Sequence, residues 1–213
     1  MDRWATFDCY GTLIDWDGGV RSELVRVFGE DRADEQLVRY HEVEPGLQAD
    51  GTRTYREVLT ESMRELGAPE GEAHGLADSL PGWRAFPEVR PALEELRRRG
   101  WKLGILSNTD DDFIAASQVQ IRVVFDEVIV AQEIGSYKPA HRHWEEFFRR
   151  TNAPREGHVH VAASLFHDIA PANDLGLVSV WINRLGEKAT VQPARELPDL
   201  FELPETLDEL VQR

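Results

Sequence analysis

The sequence predicts an α/β fold: a parallel sheet with helices on both faces, and an all-helical segment inserted after the first strand. Two patterns predict this architecture. From about Trp83 onward, strand-like and helix-like segments alternate, which is typical of β-α-β units. Residues 16 to 81 instead carry apolar side chains at helical spacing and contain no convincing strand.

The amino-terminal part begins with a short apolar run that ends at Phe7, and we expect this run to be the first strand. Pro81-Gly82 and Phe86-Pro87 mark the exit from the inserted segment and are candidate hinges. The helical prediction for that segment rests on the spacing of its apolar residues, which are Leu24, Val25, Phe28, Leu37, Val38, Tyr55, Val58, Leu59, Met63 and Leu66.

The rest of the chain alternates in a regular order. VRPALEELRRRG is predicted to be a helix, because its apolar residues recur at helical spacing and Gly100 can end it. The later elements, in order, are a strand at KLGILSN, a helix over 110–117, a strand at VVFDEVIVA, a helix over 139–150, a strand at HVHVAASLF, a helix over 169–175, a strand at VSVWINR, a last strand at PDLFEL and a helix at ETLDELVQR.

Composition narrows the class of partner. The chain has 213 residues, 41% of them hydrophobic and 30% charged, which is typical of a globular protein. The formal net charge of −15 disfavours nucleic acid and anionic membrane surfaces. A small anionic substrate requires a local site that reverses this field.

The number of cysteines and the length of the apolar runs indicate which covalent or metal links the chain can form and where it is located. Cys9 is the one cysteine, so neither an intrachain disulfide nor a CxxC metal site is available. Because the beginning of the chain has no basic region followed by an apolar stretch, and no run is long enough to cross a bilayer, we expect a cytoplasmic location.

Polar residues follow four of the predicted strands. They are Asp8, the pair Ser107-Asn108, Lys138 and Asp168. Each has a structural interpretation alone, as a turn residue or helix cap. Because the carboxyl ends of parallel strands share one edge, where ligands bind, we expect these four groups to meet in one site.

The segments FDCYGTLID, LSNTD, YKP and ASLFHD, in this order and at these intervals, resemble the four motifs of the haloacid dehalogenase superfamily. The resemblance covers essentially the whole chain. It implies a Rossmann-like core at 1–15 and 82–213, with residues 16–81 as an all-helical cap domain. The closing WINR resembles the L-2-haloacid dehalogenases in particular.

The resemblance implies a hydrolase with four catalytic residues. Asp8 is the nucleophile and forms a covalent ester or acyl-phosphate that water releases. Lys138 keeps Asp8 ionised, Ser107 holds Asp8 or the substrate by a hydrogen bond, and Asp168 orients the lysine or polarises the water. A weak carboxylate nucleophile needs such donors and a desolvated setting.

The resemblance also implies substrate-binding residues, which are Tyr10, Gly11, Thr12, Asn108 and a cap arginine. Arg39 falls at the place of that arginine, with Arg53 and Arg56 as alternatives. The backbone N–H groups around Gly11 and Thr12 suit an anionic group.

Tyr10 separates two chemistries of this superfamily. Its phosphatases carry a second aspartate two residues after the nucleophile, as an acid for the leaving alcohol, whereas a halide needs no proton and the dehalogenases carry tyrosine. The phosphatases also bind magnesium through a Gly-Asp-Ser element, which here reads Ala162-Ala163-Ser164. The sequence therefore favours displacement of halide from a small 2-halo acid, and predicts no metal and no cofactor.

Three departures keep other functions open. Ala163 and Leu165 replace polar residues of the dehalogenases, and Trp144 replaces a tyrosine. The alternatives are a small-molecule phosphatase of the same superfamily and a non-catalytic member that binds a small anion. A homodimer through the cap is also open.

Other reactive residues have structural interpretations. Cys9 is expected to point away from Asp8 into the core, since neighbours in a strand face opposite sides. The pairs His141/His143 and His158/His160 have no third ligand at suitable spacing. His167, beside Asp168, is expected to pack or to line the site, and Trp16 and Trp83 flank the cap junction.

Overall fold

A computed structural model describes residues 2–49 and 51–211, and its centre is a six-stranded sheet in which every pair of neighbours is parallel. The strand order is β3-β2-β1-β4-β5-β6. The strands are β1 (Arg3–Phe7), β2 (Trp101–Ser107), β3 (Glu127–Val130), β4 (His158–Ala162), β5 (Val178–Ile182) and β6 (Arg195–Leu197). The predicted α/β fold class is confirmed.

Helices connect the strands and cover the sheet. In the described part of the chain they are α1 (Trp16–Phe28), α2 (Glu30–Gln48), α3 (Tyr55–Glu65), α4 (Gly75–Ser79), α5 (Val89–Arg98), α6 (Asp111–Ile121), α7 (Ala131–Ile134), α8 (Arg142–Thr151), α9 (Ala170–Asp174) and α10 (Leu203–Leu210). Among these described residues, no helix is long and apolar enough to cross a membrane.

Strand β1 lies at the position where the strand order reverses. All five of its residues are buried, as expected for a strand covered on both faces. Phe7 pairs with Ile105 of β2 on one side and with Val161 of β4 on the other. The residue after β1 therefore lies between two strand ends, where ligands bind in open α/β sheets.

Helices α1 to α4 lie between β1 and α5, and residues 16–81 are referred to below as the cap. Side chains of the cap, such as Leu24 and Leu59, belong to the same buried apolar cluster as Phe7 and Leu13 of the core. The two parts thus share one continuous apolar interior. The boundaries at 16 and 81 stay a prediction.

Asp110 attaches the cap to the core in a way that the sequence did not predict. The acids around Asp110 suited the start of the helix that follows, but its side chain makes no cap for that helix. Its carboxylate instead accepts hydrogen bonds from the backbone N–H groups of Tyr55 and Arg56, at 2.8 and 2.9 Å. The first N–H groups of a helix have no partner within the helix, and here a residue of the core supplies the acceptor for two of them in a helix of the cap.

Three strand predictions need correction. The last strand is Arg195–Leu197 rather than PDLFEL, and Phe201 of that segment is exposed. This edge strand is defined by its backbone pairing with β5, and two of its three residues are exposed. Its side chains therefore form no apolar pattern that would predict a strand. The strand within VVFDEVIVA is confined to Glu127–Val130, and that within HVHVAASLF ends at Ala162. The residues after Ala162 include one π-helical turn, Leu165–Ile169.

The junction between α1 and the core has no room for a side chain at Gly19. A Cβ there would lie 2.4 Å from Cδ2 of the buried Trp83. We expect Gly19→Ala to destabilise the protein by about 1–3 kcal/mol because Trp83 must shift. Gly46→Ala is the control, since Gly46 in α2 faces open space and alanine favours a helix by up to about 1 kcal/mol. Urea unfolding measures both, and equal effects of the two substitutions would contradict the packing argument.

Candidate active site

The site is built around the ammonium group of Lys138, which is 2% exposed. Its Nζ donates to Asp8 Oδ1 at 2.9 Å, to Asp168 Oδ1 at 2.6 Å and to the backbone carbonyl of Leu106 at 2.8 Å. Three acceptors match the three donors of an ammonium group. Lys138 therefore brings together two predicted residues, Asp8 after β1 and Asp168 after β4, and also binds the carbonyl of Leu106 near the end of β2.

The second oxygen of Asp8 has a neutral partner. Thr12 Oγ1 donates to Asp8 Oδ2 at 3.1 Å and accepts from the backbone N–H of Ala163 at 2.9 Å. Gly11 has a φ of +83°, which places it in the left-handed region and shapes the turn. Of the N–H groups around Gly11 and Thr12 that were expected to suit an anionic group, that of Gly11 donates to the carbonyl of Ile14 within the turn.

Burial and charge act in opposite directions on this cluster. Burial raises the pKa of Asp8, and the charge of Asp168 adds to this rise while Lys138 opposes it. Burial would also raise the pKa of Asp168, but Lys138 and His160 outweigh it and hold that pKa well below its usual range. Burial lowers the pKa of Lys138, yet the two carboxylates reverse this and raise it. Lys138 and Asp168 are therefore charged throughout the neutral range.

A chain of buried side chains supports Asp168 from behind. His160 Nε2 lies 2.9 Å from Asp168 Oδ1, His160 Nδ1 lies 2.9 Å from Thr6 Oγ1, and Thr6 Oγ1 lies 2.8 Å from His158 Nε2. His158 Nδ1 is buried without a partner, and burial lowers the pKa of His158. Because an unpaired acceptor is better tolerated than an unpaired N–H, the His158 proton belongs on Nε2.

One proton order then satisfies every pair in this chain. His158 Nε2–H donates to the Thr6 hydroxyl, Thr6 donates to His160 Nδ1, and His160 Nε2–H donates to Asp168. Asp168 Oδ1 thus accepts from both His160 and Lys138, while Oδ2 is buried without a partner. Sequence reasoning missed this chain, although two histidines on one face of β4 were a visible signal.

Ser107, the last residue of β2, and Asn108, which follows it, act differently from each other. The Asn108 side chain forms a pair of hydrogen bonds with the backbone N–H and carbonyl of Lys138, at 2.7 and 3.0 Å. Its Nδ2 also donates to Gln48 Oε1 of the cap at 3.2 Å. Ser107 lines the cavity and its buried Oγ has no partner. Asn108 therefore positions the lysine, and Ser107 is available to a ligand.

A cavity of about 240 Å³ opens over Asp8, between core and cap. From the core it is lined by the catalytic candidates and by Tyr10, Ser164 and His167. From the cap it is lined by Trp16, His41, Glu44, Pro45, Gln48 and Tyr55. Sequence reasoning missed most of this wall. The spacing of Tyr40, Glu44 and Gln48 on α2 was the available signal, because polar groups at four-residue intervals share one helix face.

Tyr10 contributes its ring to the cavity wall. Its hydroxyl lies 3.1 Å from Ser117 Oγ and accepts from Thr109 Oγ1 at 3.5 Å, and the ring stacks on Tyr55 with centroids 6.0 Å apart. Burial raises the pKa of Tyr10. A hydroxyl held in this way is a poor proton donor to a leaving group.

The structure does not bring Arg39 to the cavity. Arg39 is exposed, and its guanidinium donates to the backbone carbonyl of Glu65 at 3.2 Å. The neighbouring Tyr40 lies on the buried face of α2, so the helical register turns Arg39 away. The alternatives do not line the cavity either. Arg56 pairs with Asp112 at 2.5 Å, and Arg53 donates to the Leu47 carbonyl at 3.3 Å.

The remaining reactive side chains have identified neighbours. Cys9 is fully buried, and burial raises the pKa of its thiol. His143 Nε2 lies 3.1 Å from the Ser107 carbonyl, and His167 Nδ1 lies 3.2 Å from Ser164 Oγ. Trp144 packs against His160 with centroids 5.1 Å apart. Within residues 2–49 and 51–211, no group of three or more His, Cys, Asp or Glu side chains could hold a metal ion.

Comparison with known proteins places this site in a family. The haloacetate dehalogenase H-2 of Moraxella sp. (strain B) is 30% identical over 196 residues, which is 84% of this chain and 85% of that protein. A glyceraldehyde 3-phosphate phosphatase of Methanothermobacter thermautotrophicus is 32% identical over 102 residues, 47% of this chain and 45% of that protein.

A solved structure and a family model agree with these matches. The crystal structure of the L-2-haloacid dehalogenase RSc1362 superposes with a TM-score of 0.86 at 24% identity, over 97% of this chain and 99% of that one, and at that identity the likeness concerns the fold alone. The model of the haloacid dehalogenase-like hydrolases matches residues 3–176. This match spans most of the chain and includes all four sequence motifs. The chain therefore belongs to the haloacid dehalogenase-like hydrolases.

Proposed function

We propose that this hydrolase removes halide from a small 2-halo carboxylic acid through a covalent ester on Asp8. The observation that carries the proposal is the contrast between Asp8 and Tyr10. Asp8 lies at the cavity with one oxygen held by Lys138, whereas the Tyr10 hydroxyl is engaged by Ser117 and Thr109. This arrangement suits a leaving group that needs no proton, and a dehalogenase is among the relatives.

In the displacement step, the Asp8 carboxylate attacks the carbon that bears the halogen. A carbon–oxygen bond forms while the carbon–halogen bond breaks, and the halide leaves with the bonding electrons. Burial raises the pKa of Asp8, and Lys138 opposes this rise and so favours the ionised form of the nucleophile. The enclosed cavity holds the reacting atoms together and limits water around the carboxylate.

In the hydrolysis step, water attacks the carbonyl carbon of the Asp8 ester. Asp168 takes the proton of the water on its Oδ2 atom, which is buried and has no hydrogen-bond partner. The acyl–oxygen bond then breaks, the departing oxygen takes the proton back, and a 2-hydroxy acid leaves. Asp8 then carries one oxygen derived from water and regains its carboxylate by releasing the second proton of that water to the solvent.

We expect the reaction to need no metal. Both acidic residues share the Lys138 ammonium at 2.9 and 2.6 Å, and position 163 carries alanine where the superfamily's phosphatases carry a magnesium ligand. Magnesium prefers several oxygen ligands in an octahedral arrangement. The cytoplasmic location and a homodimer through the cap remain predictions.

A phosphatase is the second candidate, because a glyceraldehyde 3-phosphate phosphatase is among the relatives and is similar to 47% of this chain. Transfer of a phosphoryl group to Asp8 would release an alkoxide, which needs a proton. Neither the engaged Tyr10 hydroxyl nor alanine at 163 supplies the acid or the metal ligand for that chemistry.

Halide release tests the proposal directly. We expect the protein to release chloride from L-2-chloropropionate at the same rate with and without EDTA. Asp8→Asn should reduce turnover by about 10³-fold or more, since it removes the nucleophile. Chloride electrode readings with matched melting curves measure this. Magnesium-dependent phosphate release from p-nitrophenyl phosphate, without chloride release, would favour the phosphatase instead.

Isotope incorporation tests the covalent step. In a single turnover in water labelled with ¹⁸O, we expect the label in the carboxylate of Asp8 and unlabelled product, because water attacks the ester carbonyl. Mass spectrometry of the peptide that contains Asp8 measures the exchange. Label in the product alone would mean that water attacks the substrate carbon directly.

The buried chain behind Asp168 gives a prediction with a matched control. Thr6→Val removes the hydroxyl between His158 and His160 with little change of shape, and leaves the His158 N–H unpaired. We expect hydrolysis of the ester to slow by about tenfold or more, because Thr6 no longer fixes the His160 ring that donates to Asp168. The buried unpaired donor should also lower the stability by about 1–3 kcal/mol.

Thr6→Ser keeps the hydroxyl and should retain the hydrolysis rate. The readout is the ratio of the two steps: rapid-quench kinetics should show ester accumulating in Thr6→Val and not in Thr6→Ser. If both steps slow equally in Thr6→Val, the chain serves stability alone.

A further inference from the structure

The segment WINR at the end of β5 carries an arginine to which the proposed reaction assigns no role. Trp181 and Ile182 end the strand, and Arg184 follows two residues later. The Arg184 side chain is only 15% exposed, yet it does not line the cavity over Asp8. Because a buried guanidinium needs partners for its charge and its N–H groups, the contacts of Arg184 indicate what it does.

Arg184 joins two segments that are distant in sequence. Its Nη2 donates to the backbone carbonyl of Thr12 at 2.8 Å, and its Nη1 lies 2.7 Å from Glu88 Oε1. The guanidinium carbon lies 3.6 Å from the centroid of the Phe86 ring. Thr12 belongs to the turn after Asp8, whereas Phe86 and Glu88 belong to the exit from the cap. A planar guanidinium can bind two acceptors and stack on a ring at once, which an ammonium group on a flexible stem cannot.

The same two segments also pair through their backbones. The N–H of Phe86 donates to the carbonyl of Leu13 at 3.1 Å, and the N–H of Asp15 donates to the carbonyl of Arg84 at 2.8 Å. Arg184 adds a side-chain connection next to this pairing, at the end that is closer to the nucleophile. The turn after Asp8 is therefore attached both to the cap exit and to the end of β5.

Thr12 connects these contacts to the nucleophile. Its hydroxyl donates to Asp8 Oδ2 at 3.1 Å and accepts from the N–H of Ala163 at 2.9 Å. The WINR segment binds both Thr12 and Ala163 by their carbonyls. Arg184 donates to the carbonyl of Thr12, and Trp181 Nε1 donates to that of Ala163 at 2.8 Å. The position of the Thr12 hydroxyl thus depends on the segment that follows β5.

Two side chains fix the orientation of the nucleophile. Lys138 donates to Oδ1 of Asp8 and Thr12 donates to Oδ2, so the carboxylate cannot rotate about its Cβ–Cγ bond without losing one of these bonds. We propose that Arg184 is a positioning residue for ester formation, which acts on Asp8 through Thr12. The inference rests on the proposed function and adds a residue outside the cavity. Loss of Arg184 should slow the displacement without weakening the binding of substrate, since a small misplacement of a reacting group lowers the rate steeply.

Arg184→Lys tests this role. Lysine keeps a positive charge for Glu88 but cannot bind Thr12 at the same time and stack on Phe86. In single turnovers with L-2-chloropropionate, we expect the rate constant of ester formation at saturation to fall by about 10- to 100-fold. The half-saturating concentration should change by less than about threefold, because Arg184 does not line the cavity. Rapid-quench kinetics at a series of substrate concentrations measures both quantities.

A double-mutant cycle establishes whether Arg184 acts through Thr12. Thr12→Val removes the hydroxyl that donates to Asp8 and should slow ester formation by itself. In the Thr12→Val background, Arg184→Lys should have an effect of less than about twofold, because the contact that it positions is already gone. Equal effects of Arg184→Lys in both backgrounds would overturn the proposal. Melting curves establish that each variant is folded.

Arg97→Lys is the matched control. Arg97 also binds one backbone carbonyl and one carboxylate, with Val124 O at 2.9 Å and Asp126 Oδ2 at 3.0 Å. These partners precede β3 and so lie at the opposite edge of the sheet from the site. Ester formation should keep its rate in this variant. An equal slowing in Arg97→Lys and Arg184→Lys would mean that loss of stability accounts for the effect, which would also overturn the proposal.

Phe86→Leu is a second, milder variant, which removes the ring under the guanidinium and leaves Arg184 and Thr12 in the chain. It should slow ester formation in the same direction, again without a change in the half-saturating concentration. If folded Arg184→Lys and Phe86→Leu form the ester at the unmodified rate, Arg184 does not position Asp8 and the dehalogenase proposal stands. If the unmodified protein forms no ester on Asp8, the proposed function and this inference are both wrong.

Discussion

Two buried carboxylates and one buried ammonium group hold this active site together. Lys138 uses its three N–H bonds on Asp8, Asp168 and the carbonyl of Leu106, and each acceptor comes from a different strand end. Burying an ion is costly unless it is paired and hydrogen-bonded, so the removal of Lys138 would leave two buried carboxylates without a compensating charge. The same contacts that make burial tolerable also hold Asp8 and Asp168, the proposed nucleophile and proton acceptor, on one ammonium group.

The other hydrogen bonds of the site distinguish the two carboxylate oxygens of Asp168 from each other. Asp168 Oδ1 is saturated by Lys138 and His160, which leaves Oδ2 for the chemistry. The His160 tautomer is in turn fixed by Thr6. Such supporting contacts set the orientation of the groups that react, and a half-satisfied buried network would be less stable than an apolar one.

The cap and the catalytic core share their polar contacts. Asp110 caps the start of α3, and Asn108 links the Lys138 backbone to Gln48 on α2. The loop after β2 therefore fixes two cap helices as well as the lysine.

The sequence alone determined the parallel sheet and the meeting of Asp8, Lys138 and Asp168. Alternating strands and helices require a shared carboxyl edge, so residues that follow the strands must converge whatever the details of packing. The contacts that depend on the mutual rotation of helices came from the tertiary structure. Helical spacing shows that α2 has an inward face, but only its packing turns Tyr40 and Glu44 inward and Arg39 to solvent. The edge strand β6, the partner of Asp110 and the internal bond of the Gly11 amide likewise depend on backbone partners distant in sequence or on turn geometry, which side-chain patterns do not encode.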